Sequence, residues 1–84
     1  MGIDSVVLYS YETMFGSVIK NQRMIYLTQH AYLAGSSENS CYQAAAVDSD
    51  GNNYRVTWIP YPNYANIADK NKRFDRNEYQ VVEL

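Results

Sequence analysis

The chain reads as a mainly β protein, a small antiparallel barrel or strongly bent sheet of the SH3-like or OB-like kind, with residues 1–84 forming a single domain. Three observations point there. Short runs of β-forming residues follow one another along most of the length. Two pairs of runs flank turn-forming dipeptides, Asn21-Gln22 and Asp50-Gly51. And 84 residues leave room for one hydrophobic core, which short strands can enclose by bending round it.

Residues 5–20 admit two readings. Val7, Tyr9, Tyr11, Thr13 and Phe15 alternate as in a strand, whereas Val7, Tyr11, Met14, Phe15 and Val18 share a helical face. Gly16 and the β-formers favour the strand, and a helix over 5–20 would make the fold α+β. A hairpin follows, with Gly16–Lys20 and Arg23–Thr28 flanking Asn21-Gln22. It sets Lys20 opposite Arg23, an unfavourable like-charge pair. Gln29–Leu33 can continue the second strand, and Ala34–Ser40 reads as an exposed loop.

The central hairpin carries the strongest signal. Cys41–Val47 and Tyr54–Ile59 flank Asp50-Gly51, a favoured type I′ pair because both central residues need positive φ. With a two-residue turn, Val47 faces Tyr54, Ala45 faces Val56 and Gln43 faces Trp58. Tyr54, Val56 and Trp58 alternate with Arg55 and Thr57, so the first three belong to the core. Pro60 and Pro62 stop this strand. Residues 63–78 form a polar connection, and Tyr79–Leu84 reads as a closing strand.

Composition narrows the function. The apolar share of 46% suits a globular chain, and a net charge of −2 gives nucleic acid little general attraction. The single Cys41 forms no intramolecular disulfide and no thiolate cluster. Val6-Val7-Leu8 is too short for a secretory leader, no apolar run is long enough for a membrane span, and no Asn-x-Ser/Thr acceptor occurs. The expectation is a soluble cytoplasmic protein with no membrane partner.

No enzyme chemistry or cofactor is expected. Cys41 and His30 are the only conceivable nucleophile–base pair, and nothing basic surrounds Cys41 to lower its pKa. Asp48, Asp50 and Asn52 resemble the start of a calcium loop, but Gly51 falls at position four and Ile59 stands where a bidentate Glu belongs. A hairpin turn accounts for the same residues without a metal. No phosphate loop, zinc spacing or carboxylate pair occurs.

Binding is the remaining class. Nine Tyr against two Phe is an excess of phenols, whose hydroxyls must be hydrogen-bonded or wet, so several Tyr belong at the surface. Such side chains give large contact area at low entropic cost, as a protein-binding surface needs. The candidate site is Tyr61, Tyr64, Lys70, Arg73, Phe74 and Arg76, where cations and aromatics are interleaved. The expected partner is another protein, with self-association as a further option. The alternative ligand is single-stranded nucleic acid, which small barrels bind by stacking bases on aromatics beside cations. Asp69, Asp75 and Glu78 reduce that window to a charge of +1 and weigh against it. The stretch Tyr42–Trp58, with its Ala-rich strand, Asp-Gly turn and Tyr-x-Val-x-Trp strand, resembles small proteins of phages and mobile elements. That resemblance implies an accessory or inhibitor protein directed at a host protein.

Overall fold

The computed structural model describes residues 2–36 and 39–84. Its first element is a helix, α1 (Ser5–Phe15), where the alternation of apolar residues had favoured a strand. The ends decide the matter. Asp4 caps the N-terminus, its carboxylate accepting from the Val6 N–H at 2.8 Å. Gly16, at φ 95°, closes the C-terminus by donating its N–H to the Tyr11 and Glu12 carbonyls. Leu8 is buried while Tyr11 and Phe15 are half-buried, a face rotated from the one expected, so Val7 and Met14 lie exposed.

The strands are β1 (Ser17–Lys20), β2 (Arg23–Leu27), β3 (Tyr32–Ala34), β4 (Cys41–Val47), β5 (Asn53–Pro60) and β6 (Phe74–Glu83). All pair antiparallel in one sheet of order β1-β2-β4-β5-β6, bent until it is nearly closed into a barrel. This is the architecture of a small SH3- or OB-like barrel. Asn21 and Gln22 both take positive φ, 52° and 65°, as a type I′ turn requires. Lys20 does face Arg23. The repulsion is relieved because Lys20 Nζ donates to the Val81 carbonyl at 2.8 Å, while Arg23 Nη1 meets the carboxylates of Asp48 and Asp50.

Residues 28–31 break what would otherwise be one strand running along β4. Thr28 donates its N–H to the Ala45 carbonyl, and the Gln29 side-chain oxygen accepts from the Ala45 N–H at 2.8 Å. The chain then rejoins the edge of β4 as β3, with Tyr32 opposite Gln43, Leu33 opposite Tyr42 and Ala34 opposite Cys41. Part of the loop expected over 34–40 is therefore strand, and residues 37–38 lie outside the described residues.

β4 and β5 pair antiparallel as expected, but one residue out of the expected register. Val47 faces Asn53, Ala44 faces Val56 and Tyr42 faces Trp58. The turn is longer than Asp50-Gly51. Gly51 donates its N–H to the Asp48 carbonyl, Asp48 donates its own to the Asn52 carbonyl, and only Gly51 needs a positive φ, 88°. This is a three-residue loop with a glycine bulge, and the Asp48 side chain selects it. The shift turns Tyr42, Ala44 and Ala46 into the core and Gln43, Ala45 and Val47 away from it.

β6 begins at Phe74, five residues before the closing strand expected from Tyr79. Asp75–Glu78 are polar and lie along the outside, so they carry no apolar alternation to mark them as strand. Pro60 pairs with Phe74 beyond an irregularity after Trp58, and Phe74 is buried against Trp58 and Tyr42 at centroid distances of 5.1 and 5.0 Å. Two single-turn 3-10 helices, Tyr64–Asn66 and Lys70–Lys72, occupy the preceding connection. The core joins Val18, Ile25, Leu27, Tyr42, Ala44, Ala46, Tyr54, Val56, Trp58 and Phe74, including the three alternating residues expected from β5. Between β1 and β6 side chains replace a ladder. The Tyr79 hydroxyl accepts from the Ile19 N–H at 3.0 Å and donates to the Ile19 carbonyl at 2.9 Å.

Candidate functional site

One end of the barrel is built around Arg73. Its Nε donates to the Ile67 carbonyl at 2.6 Å, its Nη1 donates to the Tyr42 hydroxyl at 3.3 Å, and its carbonyl accepts from the Tyr61 N–H at 2.8 Å. These bonds fasten the 61–73 connection to the end of the sheet. The Tyr64 ring meets the Tyr42 ring edge-on, 6.3 Å between centroids, and the Tyr64 hydroxyl donates to Ser40 Oγ. Asp69 caps the second 3-10 turn by accepting from the Asn71 N–H, which holds Lys70 beside the sheet.

Between this connection and β3 lies a groove of about 250 Å³ lined by Ala31, Tyr32, Leu33, Tyr42, Lys70 and Arg73. Tyr32 and Leu33 are about half exposed, at 47% and 49%. The Lys70 ammonium has no ion-pair or hydrogen-bond partner among the described residues. The groove thus combines apolar surface, phenol hydroxyls and a cation, with no acidic residue in its lining among the described residues.

Of the six residues singled out in the sequence, Tyr61, Tyr64, Lys70 and Arg73 come together at this end. Phe74 belongs to the core, 3% exposed, with its ring packed on Tyr42 and Trp58. Arg76 reaches elsewhere, donating to the Phe15 carbonyl at the end of α1 at 3.3 Å. Tyr32 and Leu33 are the residues that sequence reasoning missed. Their signal was an adjacent pair of large apolar side chains in a run too short to bury both.

The Asp48 turn is a self-contained polar hub. Its carboxylate accepts from the N–H groups of Asp50 and Asn52, the Asn52 amide, the Tyr54 hydroxyl and Arg23, at 2.6–3.0 Å. Burial alone would push this carboxyl up, but the bonds from Tyr54, Asn52 and Arg23 outweigh it and hold it well below the usual carboxylate range. The same contact raises the Tyr54 phenol, whose hydrogen bond to Asp48 is the largest cause. All the donors come from the chain itself, and no group of three metal-ligating side chains occurs among the described residues. His30 packs edge-on against Phe15, and Cys41 is a half-buried free thiol opposite Ala34.

Two further surface depressions lie apart from the groove. One, of about 350 Å³ at the opposite mouth of the barrel, is lined by residues including Lys20, Arg23 and Glu83. The other, of about 300 Å³, lies on the outer face of β5 and β6 beside Ile59. Neither includes His30 or Cys41. No helix among the described residues is long and apolar enough to cross a membrane. No protein-family model, curated protein or solved structure matches this chain.

Proposed function

We propose that this chain is a non-enzymatic protein-interaction module whose contact surface is the groove between β3 and the Lys70–Arg73 turn. The observation that carries the reading is the convergence there of half-exposed Tyr32 and Leu33 with Lys70, which has no partner among the described residues. An aromatic and an aliphatic side chain give apolar contact area, and a cation at the rim steers an acidic partner. Tyr61 and Tyr64 extend the aromatic surface around Arg73. The resemblance of Tyr42–Trp58 to small phage and mobile-element proteins suits a host protein as partner. A free thiol with no disulfide suits the cytoplasm.

Single-stranded nucleic acid is the rival ligand. Stacking and phosphate contact would draw on Phe74 and Arg76, but the first is buried and the second is turned to α1. Arg73 is committed to Ile67 and Tyr42, which leaves lysines as the available cations of the cluster. That supports protein over nucleic acid. Affinity capture from the source cell, with nuclease added, compares wild type with Tyr32→Ala/Lys70→Glu and with Tyr9→Ala on α1. A protein retained by wild type and Tyr9→Ala, and lost by the double variant, is the expected result. Equal retention by all three, or loss on nuclease treatment, contradicts the proposal.

A further inference from the structure

We infer that the groove takes its partner as an extended strand laid along the edge of β3, with acidic side chains directed at Lys70. The inference rests on the protein-binding reading above and specifies its ligand and geometry.

The ladder shows which backbone groups are on offer. Ala45 turns its N–H and carbonyl sideways to Gln29 and Thr28, so by antiparallel alternation Gln43 and Cys41 turn theirs to Tyr32 and Ala34. Leu33 lies between those two, so its N–H and carbonyl point away from β4. The groove follows the same edge. Successive strand side chains point to opposite faces, yet Tyr32 and Leu33 of β3 both line it, with Ala31 just before the strand. A depression that touches three consecutive residues runs along the strand, where the backbone is within reach.

The sheet's other two edges, β1 and β6, face each other and are bridged by side chains at single points. Tyr79 saturates the Ile19 N–H and carbonyl on β1, and Lys20 occupies the Val81 carbonyl on β6. β3 has no such bridge among the described residues, and its sequence Tyr-Leu-Ala carries neither the charge nor the proline that usually protects an edge. The ligand's charge follows from the facing wall. Among the described residues, Lys70 and Arg73 are the charged ones of the lining, a local positive surface on a chain of net charge −2. In strand addition the main chain supplies affinity while flanking side chains supply selectivity. A three-residue edge offers little main chain, so the acidic and apolar side chains of the partner carry much of the recognition.

The test uses the full chain and four synthetic probes followed by amide NMR. One is an acetylated peptide alternating Glu and Val, one its Lys-Val counterpart, and two are Glu-Val peptides N-methylated on odd or on even residues. The Glu-Val peptide should bind saturably and slow exchange of the Leu33 amide, and the Lys-Val peptide should bind roughly tenfold more weakly or not at all. One N-methylated set should lose roughly tenfold, the effect of one or two lost hydrogen bonds, while the other retains affinity. Lys70→Gln should erase the preference for Glu over Lys. If both N-methylated peptides bind like the parent at Tyr32 and Lys70, strand addition is overturned while the groove stands as a side-chain site. If no peptide binds, or binding is indifferent to Tyr32→Ala and Lys70→Gln, strand addition and the groove fail together. Preferential binding of oligo-dT at this edge would also overturn the inference.

Discussion

The carboxylate of Asp48 has no exposed surface and satisfies five donors, which makes it the residue that fixes the register of the central hairpin. Asp48→Ala leaves the Tyr54 hydroxyl and two backbone N–H groups without their acceptor. Loss of roughly 3 kcal/mol in urea unfolding is expected. The pH dependence has a definite sign. Asp48 is held below its unfolded value of about 3.9, so its contribution is complete above about pH 5 and fades as pH falls through 4. The urea midpoint should be flat from pH 7 to 5 and drop below that, and Asp48→Asn should flatten the drop. An equal acid response in wild type and variant would show that other carboxylates dominate. Gln22, at φ 65°, makes a prediction of the opposite sign. Gln22→Gly relieves a left-handed side chain in a type I′ turn and should raise stability by about 0.5–1 kcal/mol. Trp58, 1% exposed and packed on Phe74, is a core residue, and Trp58→Ala should cost about 3–5 kcal/mol in the same assay.

Among the elements, β4 and β5 were readable because alternation and turn chemistry coincide there, and Tyr54, Val56 and Trp58 are buried as that pattern requires. The register was not, because Asp-Gly signals a tight turn equally well in two- and three-residue loops. What distinguishes them is a bond from the Tyr54 hydroxyl to Asp48, six residues apart, which periodicity does not contain. In α1 the strand and helix periods compete, and the caps Asp4 and Gly16 were the deciding signal. The first half of β6 was hidden because a strand polar on both faces has no period. The bridge between β1 and β6 depends on one phenol. Tyr79→Phe removes both bonds to Ile19 and should cost about 1–2 kcal/mol. Exchange of the Ile19 amide should accelerate more than that of Val56 in the core. Uniform acceleration of both would mean that β1 opens only with global unfolding.

For the molecule as a whole, the barrel places its polar hub and its groove at different ends, so variants can test stability and the proposed recognition separately. The mainly β architecture was evident from short runs and turns. The placement of part of the candidate site was also legible: Lys70 and Arg73 line the groove, and Tyr61 and Tyr64 lie at the same end. Tyr32 and Leu33 were not evident, since only the return of the chain to the edge of β4 carries them to Lys70. Proximity in sequence likewise drew in Phe74 and Arg76, which the pleat of β6 and the end of α1 claim. The decisive measurement is a chemical-shift map of the ¹⁵N-labelled chain titrated with the Glu-Val peptide. Saturable shifts confined to Ala31–Leu33, Tyr42 and Lys70–Arg73, and abolished by Tyr32→Ala/Lys70→Glu in a folded protein, are the predicted result. Shifts centred on α1 or on the mouth at Lys20 and Glu83, or no shifts at all, would contradict it.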